Sequence, residues 1–312
     1  MSVRPAELLD RARSGEAHAI ARTLSILEND EAGAAELVRA THAETGTATV
    51  IGVTGPPGGG KSTLVSALIG AYRAQQKRVA VVAVDPSSPF SGGALLGDRI
   101  RMRERFLDQA VFIRSMASRG HSGGLARTTK RVVDMLDALR FDVVIVETVG
   151  VGQEEVDVAR LADTVCLVTV PGLGDGIQAI KAGVLEVADV IVVNKSDRPG
   201  ADETVRDLTL ALSLSPDKAA WRPPIVRTNA VSGDGIDDLV AAIAKHEAWA
   251  RSSGEAERRA VAAARAELEA LARDTLYRRL RDRVGADRID DAAHAIARRE
   301  RDPYAAIEDL LT

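Results

Sequence analysis

Gly55-Pro56-Pro57-Gly58-Gly59-Gly60-Lys61-Ser62-Thr63 gathers glycines, a lysine and two hydroxyls between the apolar run Val50, Ile51 and Val53 and the helical pattern Leu64-Val65-Leu68-Ile69. The spacing is that of G-x-x-x-x-G-K-[ST] between a strand and a helix, the phosphate-binding loop. A triphosphate needs a ring of backbone N–H donors at a helix N-terminus, and glycines such as Gly55, Gly58, Gly59 and Gly60 let the backbone approach it. Lys61 then reaches the β- and γ-phosphates as a point charge, and the Ser62 hydroxyl takes one position on Mg2+. The chemistry implied is nucleoside triphosphate binding.

Further groups stand at or after the ends of apolar runs. Glu147-Thr148-Val149-Gly150 sets a carboxylate three residues before a glycine, suited to hold Mg2+ and to meet a γ-phosphate with the Gly150 N–H. Asp85 opens Asp85-Pro86-Ser87-Ser88, and Asp98 lies within Leu96-Gly97-Asp98-Arg99; both are candidate metal ligands, with turn formation or helix capping as the plain alternative. Asn194-Lys195-Ser196-Asp197 speaks to the base. The Asp197 carboxylate can accept from the ring N–H and the exocyclic amine of guanine, a paired contact that adenine cannot return, while the Lys195 stem lies over the ring. Asn229 and Ala230, after the last strand-like run, are the expected final base-side loop.

The elements that must position these groups are legible as alternation. Strands are expected at Thr49–Val53, Val79–Val84, Val111–Ile113, Val143–Glu147, Val165–Val170, Val190–Val193 and Ile225–Thr228, separated by helical stretches. Nearly continuous apolar runs of this kind belong to a mostly parallel sheet buried on both faces, whose ligands bind at the carboxyl ends of the strands. The expected fold is therefore α/β, a P-loop NTPase with a mostly parallel sheet flanked by helices. Residues 1–45 add a helical N-terminal extension, broken at Ser14-Gly15, at Asn29-Asp30 and at Gly33, and residues 46–250 form the nucleotide domain. Residues 251–312 are rich in Ala, Glu and Arg and begin after Ser252-Ser253-Gly254; Val261, Leu268, Leu271, Leu276, Leu280 and Val284 form an apolar stripe on a long helical arm.

Composition narrows the class. With 312 residues, 46% of them hydrophobic, the chain can bury a full core, and a formal charge of -4 supplies no basic surplus for nucleic acid or anionic lipid. The single cysteine, Cys166, lies in a strand-like run and has no internal partner, which suits a reducing compartment. No apolar run approaches about 18 residues and the N-terminus lacks a secretory pattern, so a cytoplasmic protein without membrane contact is expected.

In order and spacing the segments Gly55–Thr63, Ala83–Ser88 with Gly92-Gly93 and Leu96–Arg99, Ser118–Gly120 with Gly123-Gly124, Glu147–Gln153, Pro171–Gly183 and Asn194–Asp197 resemble the MeaB/ArgK family of P-loop GTPases, relatives of the methylmalonic aciduria type A protein. The resemblance implies GTP hydrolysis to GDP and phosphate, slow until a partner stimulates it. It also implies a chaperone role in loading, protecting or repairing an adenosylcobalamin-dependent acyl-CoA mutase, most often methylmalonyl-CoA mutase, and a homodimer formed through the C-terminal arm. Carried onto this chain, it makes Ser62, Asp85, Asp98 and Glu147 the metal shell and Gly150–Gln153 a nucleotide-sensing switch in which Gln153 orients water. Asp175, Gln178 and Lys181 become a switch facing the partner. Many members read Asp-Glu-Leu-Gln where this chain has Asp175-Gly176-Ile177-Gln178, which leaves the form of that coupling open, and His121 is an unexpected imidazole that reads as a solvated loop residue. Two rival readings are a P-loop kinase acting on a lysine, arginine and ornithine transport protein, against which Asn194–Asp197 argues, and a GTPase that delivers metal, against which the scattering of His18, His42, His121, His246 and His294 argues.

Overall fold

The computed structural model describes residues 4–86, 108–118, 124–148, 161–172, 185–214 and 220–311. Three helices come first, α1 (Pro5–Arg13), α2 (Ala17–Glu28) and α3 (Ala34–Thr41), with their breaks at the expected Ser14-Gly15 and at Asn29 to Gly33. Alternation follows: β1 (Thr49–Thr54), α4 (Lys61–Ala74), β2 (Val79–Pro86), β3 (Val111–Ser118), α5 (Gly124–Ala138), β4 (Val143–Thr148), β5 (Thr164–Thr169), β6 (Val190–Val193), α6 (Ala201–Leu214), β7 (Ile225–Arg227) and α7 (Ile236–Ser252). The last three helices are α8 (Glu255–Val284), α9 (Ala286–Ala297) and α10 (Pro303–Leu311).

The seven strands form one sheet in the order β3-β2-β4-β1-β5-β6-β7, and every pairing is parallel. Strand periodicity sends alternate residues to opposite faces. Val144 and Val146 of β4 join Leu136 of α5 and Leu24, Leu27 and Leu37 of the N-terminal helices in one core. Val143 and Ile145 face the other way, against Leu64, Leu68 and Ile69 of α4 and Leu239 and Ile243 of α7. Each such fully buried aliphatic side chain contributes about 1.5–3 kcal/mol, so the sheet is held from both sides. The N-terminal helices are thus part of the sheet's own core.

Two features differ from the sequence reading. β3 runs to Ser118 instead of ending at Ile113, because Arg114, which interrupts the apolar run, is accommodated by an ion pair with Glu28 and a 3.1 Å hydrogen bond to Ser25 Oγ of α2. The entry edge of the sheet carries a repeated device that periodicity does not reveal. Asp142, Asp163 and Asp189 each precede a strand, and each accepts from a backbone N–H beside it: Arg78 at 2.7 Å, Val50 at 2.9 Å and Val165 at 2.9 Å. Asp189 Oδ1 lies 3.2 Å from His246 Nε2 without hydrogen-bond geometry, whereas His246 Nδ1 is hydrogen-bonded to Thr164 Oγ1 at 2.8 Å, so this buried histidine of α7 ties the helix to β5.

The chain divides into two compact units, Met1–Glu257 and Arg258–Thr312. α8 is about 45 Å long at 1.5 Å per residue and has no buried residue; Leu268, Leu276 and Tyr277 are exposed on it. Within the second unit, Arg283 Nη2 of α8 donates to the Leu310 and Leu311 carbonyls of α10 at 2.9 and 2.6 Å. Among the described residues no helix is long and apolar enough to cross a membrane.

Candidate functional site

The strand order places β1 at the centre with β4 and β5 on either side, and the loop after β1 lies at the carboxyl end of the sheet. Gly55 leaves β1 with φ +138°, and a Cβ there would stand 2.1 Å from the Val168 carbonyl oxygen of β5; only glycine lets the loop start against that strand. At the other end Gly60 is left-handed, φ +84°, and α4 begins at Lys61. Lys61 is buried and its Nζ donates to the carbonyls of Gly55 at 2.7 Å and Pro56 at 3.1 Å, spanning the loop from below. These two carbonyls are neutral acceptors, and phosphate oxygens, which make stronger charge-assisted bonds with an ammonium, can replace them.

Ser62, on the first turn of α4, donates its hydroxyl to Glu147 Oε1 at 2.7 Å. Glu147 is buried near the tip of β4, on the same face as Ile145 and α4. A hydroxyl and a carboxylate oxygen at this separation suit neighbouring corners of an octahedron, since ligands about 2.0–2.1 Å from Mg2+ stand about 2.9 Å from one another. The donor set is all oxygen, as this cation requires, so Ser62 and Glu147 fit it. Asp85 lies at the end of β2, two residues beyond Ala83, the register partner of Glu147. Asp98, Gly150, Gln153, Asp175, Gln178 and Lys181 lie outside the described residues.

Asn194, immediately after β6, is buried and joins three segments. Its Nδ2 donates to the Gly59 carbonyl at 2.9 Å, and its Oδ1 accepts from Thr228 Oγ1 at 3.2 Å and from the Ala230 N–H at 3.1 Å. Lys195, with φ +55°, sends its Nζ to the Gly58 carbonyl at 2.8 Å, while Asp197 is exposed to solvent. The loops after β1, β6 and β7 therefore share one hydrogen-bonded frame. Asn229 spends its side-chain oxygen on its own loop, accepting from the N–H groups of Val231 at 3.1 Å and Ser232 at 3.4 Å, so its part is to shape the turn that presents Ala230. Thr63 is exposed at the loop's edge. Among the described residues no three His, Cys, Asp or Glu side chains gather as a metal-binding group.

Motif reading passed over the tip of the sheet between β1 and β4. Thr148 Oγ1 donates to Thr54 Oγ1 at 3.2 Å, and both residues are buried. The available signal was positional: each threonine directly adjoins a named motif residue, Gly55 or Glu147.

A model of the methylmalonyl Co-A mutase-associated GTPase MeaB family matches residues 19–284. The chain belongs to this family. A protein of Pyrococcus abyssi that bears a GTPase name is 44% identical over 308 residues, covering 98% of this chain and 95% of that one. The GTPase ArgK of Escherichia coli is 37% identical over 263 residues, 80% of this chain and 78% of that one. Among solved structures, that of a LAO/AO transport system kinase superposes with a TM-score of 0.72 at 28% identity, covering 98% of this chain and 96% of that one. As a member of the MeaB family the chain is a P-loop GTPase, converting GTP and water to GDP and phosphate.

Proposed function

We propose that GTP hydrolysis by this chain serves as the clock of a chaperone for an adenosylcobalamin-dependent acyl-CoA mutase of the methylmalonyl-CoA mutase type. The observation that carries the reading is the match of the mutase-associated family model across residues 19–284, which takes in the whole nucleotide-binding sheet. Lys61 exchanges the Gly55 and Pro56 carbonyls for the β- and γ-phosphates and holds their charge through the reaction. Ser62 and Glu147 hold Mg2+, joined by Asp85 and Asp98; the ion neutralises charge on the phosphates when bound. Asp197 reads the guanine ring and Lys195 covers it, within the frame that Asn194 builds with Ala230. Gly150 answers to the γ-phosphate, Gln153 orients the attacking water, and Asp175, Gln178 and Lys181 face the mutase. The arm from 251 to 312, with its exposed apolar side chains, pairs two chains into a homodimer. The cytoplasm, where Cys166 stays reduced, is the proposed setting.

The test is gel filtration of the full chain with candidate mutases in the presence of GDP or a non-hydrolysable GTP analogue. A complex whose amount depends on the nucleotide is expected, with mutase-stimulated GTP hydrolysis. No complex with any cobalamin-dependent mutase of the host would remove the chaperone reading and leave the GTPase. Preferential turnover of ATP in the same preparation would favour the transport-kinase reading instead.

A further inference from the structure

Thr54 and Thr148 sit just past the last rung of the ladder at the centre of the sheet. The ladder between β1 and β4 ends at Val53 with Glu147, one residue short of both strand tips. Beyond that rung Thr54 remains in register with Leu167 of β5, and Thr148 remains in register with Val84 of β2. Past that rung each middle strand stays in register with its outer neighbour, β5 or β2. A side-chain hydrogen bond spans the two tips there: the Thr148 hydroxyl donates to the Thr54 hydroxyl at 3.2 Å, with both side chains buried.

This link lies between the two halves of the proposed metal seat. The phosphate loop starts at the residue after Thr54, and Glu147 is the residue before Thr148. Strand alternation turns Glu147 to the α4 side, where Ser62 meets it at 2.7 Å, and turns both threonines to the opposite side. The pair therefore touches neither the nucleotide nor Mg2+. What it fixes is the separation of the β1 and β4 tips, and with it how far the Glu147 carboxylate stands from the helix that carries Ser62.

We infer that the Thr54–Thr148 hydroxyl bridge is a positioning pair for GTP hydrolysis, which holds the β4 carboxylate in register with the phosphate loop so that the two oxygens of the Mg2+ seat stay adjacent. The inference rests on Ser62 and Glu147 being that seat. A buried hydroxyl–hydroxyl bond contributes modestly to stability, but its loss lets the strand tips drift, and a metal with strict octahedral demands senses small drifts.

The experiment follows N-methylanthraniloyl-GDP fluorescence and GTP turnover while Mg2+ is titrated, in the full-length chain. T148V should raise the Mg2+ concentration for half-maximal retention of the nucleotide about five-fold, the effect of one lost hydrogen bond. Its nucleotide affinity in EDTA should stay within about two-fold of the unaltered chain, and kcat at low Mg2+ should fall while KM at saturating Mg2+ holds. T148S, which keeps the hydroxyl, should restore the Mg2+ dependence. T54V should match T148V, and the double variant should be no worse than either, because the two act as one unit. Unaltered Mg2+ dependence in T148V and T54V would overturn the proposal whatever their melting temperatures. So would equal impairment in T148S and T148V, which would make the effect one of packing. E147Q distinguishes the foundation from the inference: an unchanged Mg2+ dependence there would remove the seat itself and the proposal with it.

Discussion

Gly60→Ala tests the loop geometry most directly, because its two costs can be separated by neighbouring variants. Gly60 has φ +84°, and an added Cβ would stand 2.5 Å from Asn194 Nδ2. Gly58 has a similar φ, +75°, but nothing lies within 4 Å of the Cβ it would gain. Gly58→Ala therefore pays the left-handed backbone cost alone, about 1 kcal/mol after the gain from a stiffer unfolded chain. In Gly60→Ala the Asn194 amide must move as well. Asn194 is buried and held by Gly59, Thr228 and Ala230, so moving it leaves buried polar groups without partners, at about 1–3 kcal/mol. The sum is about 2–4 kcal/mol. For a unit of this size about 2–4 °C is lost per kcal/mol, so ligand-free Gly60→Ala should melt about 5–15 °C below the unaltered chain and Gly58→Ala only a few degrees below. The decisive assay is a cycle with Asn194→Ala, which removes the obstructing atom. In that background Gly60→Ala should cost no more than Gly58→Ala does. Equal destabilisation by the two glycine variants, or a Gly60 penalty that survives removal of Asn194, would refute the reasoning.

Other outcomes follow from the same geometry. Glu147→Gln keeps the shape of the side chain while removing its charge, and should raise the Mg2+ requirement for GTP turnover by at least about ten-fold, measured by phosphate release, as expected for loss of a charged ligand to a hard cation. Asp197→Asn turns one of two acceptor oxygens into a donor, against the two guanine donors that the proposed function assigns to Asp197. GTP affinity should fall about 100-fold or more without a gain for ATP, checked by competition against a fluorescent guanine nucleotide. Cys166 is fully buried and burial pushes its thiol well above the ordinary range, so little thiolate exists at pH 8. A chromogenic disulfide reagent should leave it untouched in the native chain and titrate one thiol per chain in denaturant; rapid native reaction would contradict the placement of β5.

Much of this architecture was legible because a parallel sheet writes itself as apolar runs. All seven strands lie where β-branched clusters predicted them, and even the contact between Ser62 and Glu147, distant in sequence, follows from a hydroxyl after a phosphate loop and a carboxylate at a strand tip. The rest was hidden for identifiable reasons. Arg114 interrupts the β3 pattern, and only its partner on α2 explains how the strand continues. Leu8, Leu24 and Leu37 announce amphipathic helices without saying that their apolar faces close on Val144 and Val146 of the sheet. His246 looked like one of several scattered imidazoles, although Phe141-Asp142-Val143, Ala162-Asp163-Thr164 and Ala188-Asp189-Val190 repeat a pattern that places an acceptor before each of three strands. Thr54 and Thr148 were masked by the stronger motif residues beside them.

The two edges of the sheet explain why the chemistry belongs at one of them. Parallel strands all present free N–H groups at their amino ends and free carbonyls at their carboxyl ends. Here the amino edge is closed by acceptors, with Asp142, Asp163 and Asp189 each taking a neighbouring backbone N–H. The loops at the carboxyl edge are instead dressed with donors: Lys61 Nζ on the Gly55 carbonyl, Asn194 Nδ2 on that of Gly59 and Lys195 Nζ on that of Gly58. The two lysine ammonium groups lose little by turning from a carbonyl to a phosphate, whereas an aspartate taken from a buried strand N–H would leave that donor without a partner. The amino edge is therefore built to stay shut. At the carboxyl edge an anionic ligand can replace existing contacts without unmaking the sheet, an asymmetry set by chain direction.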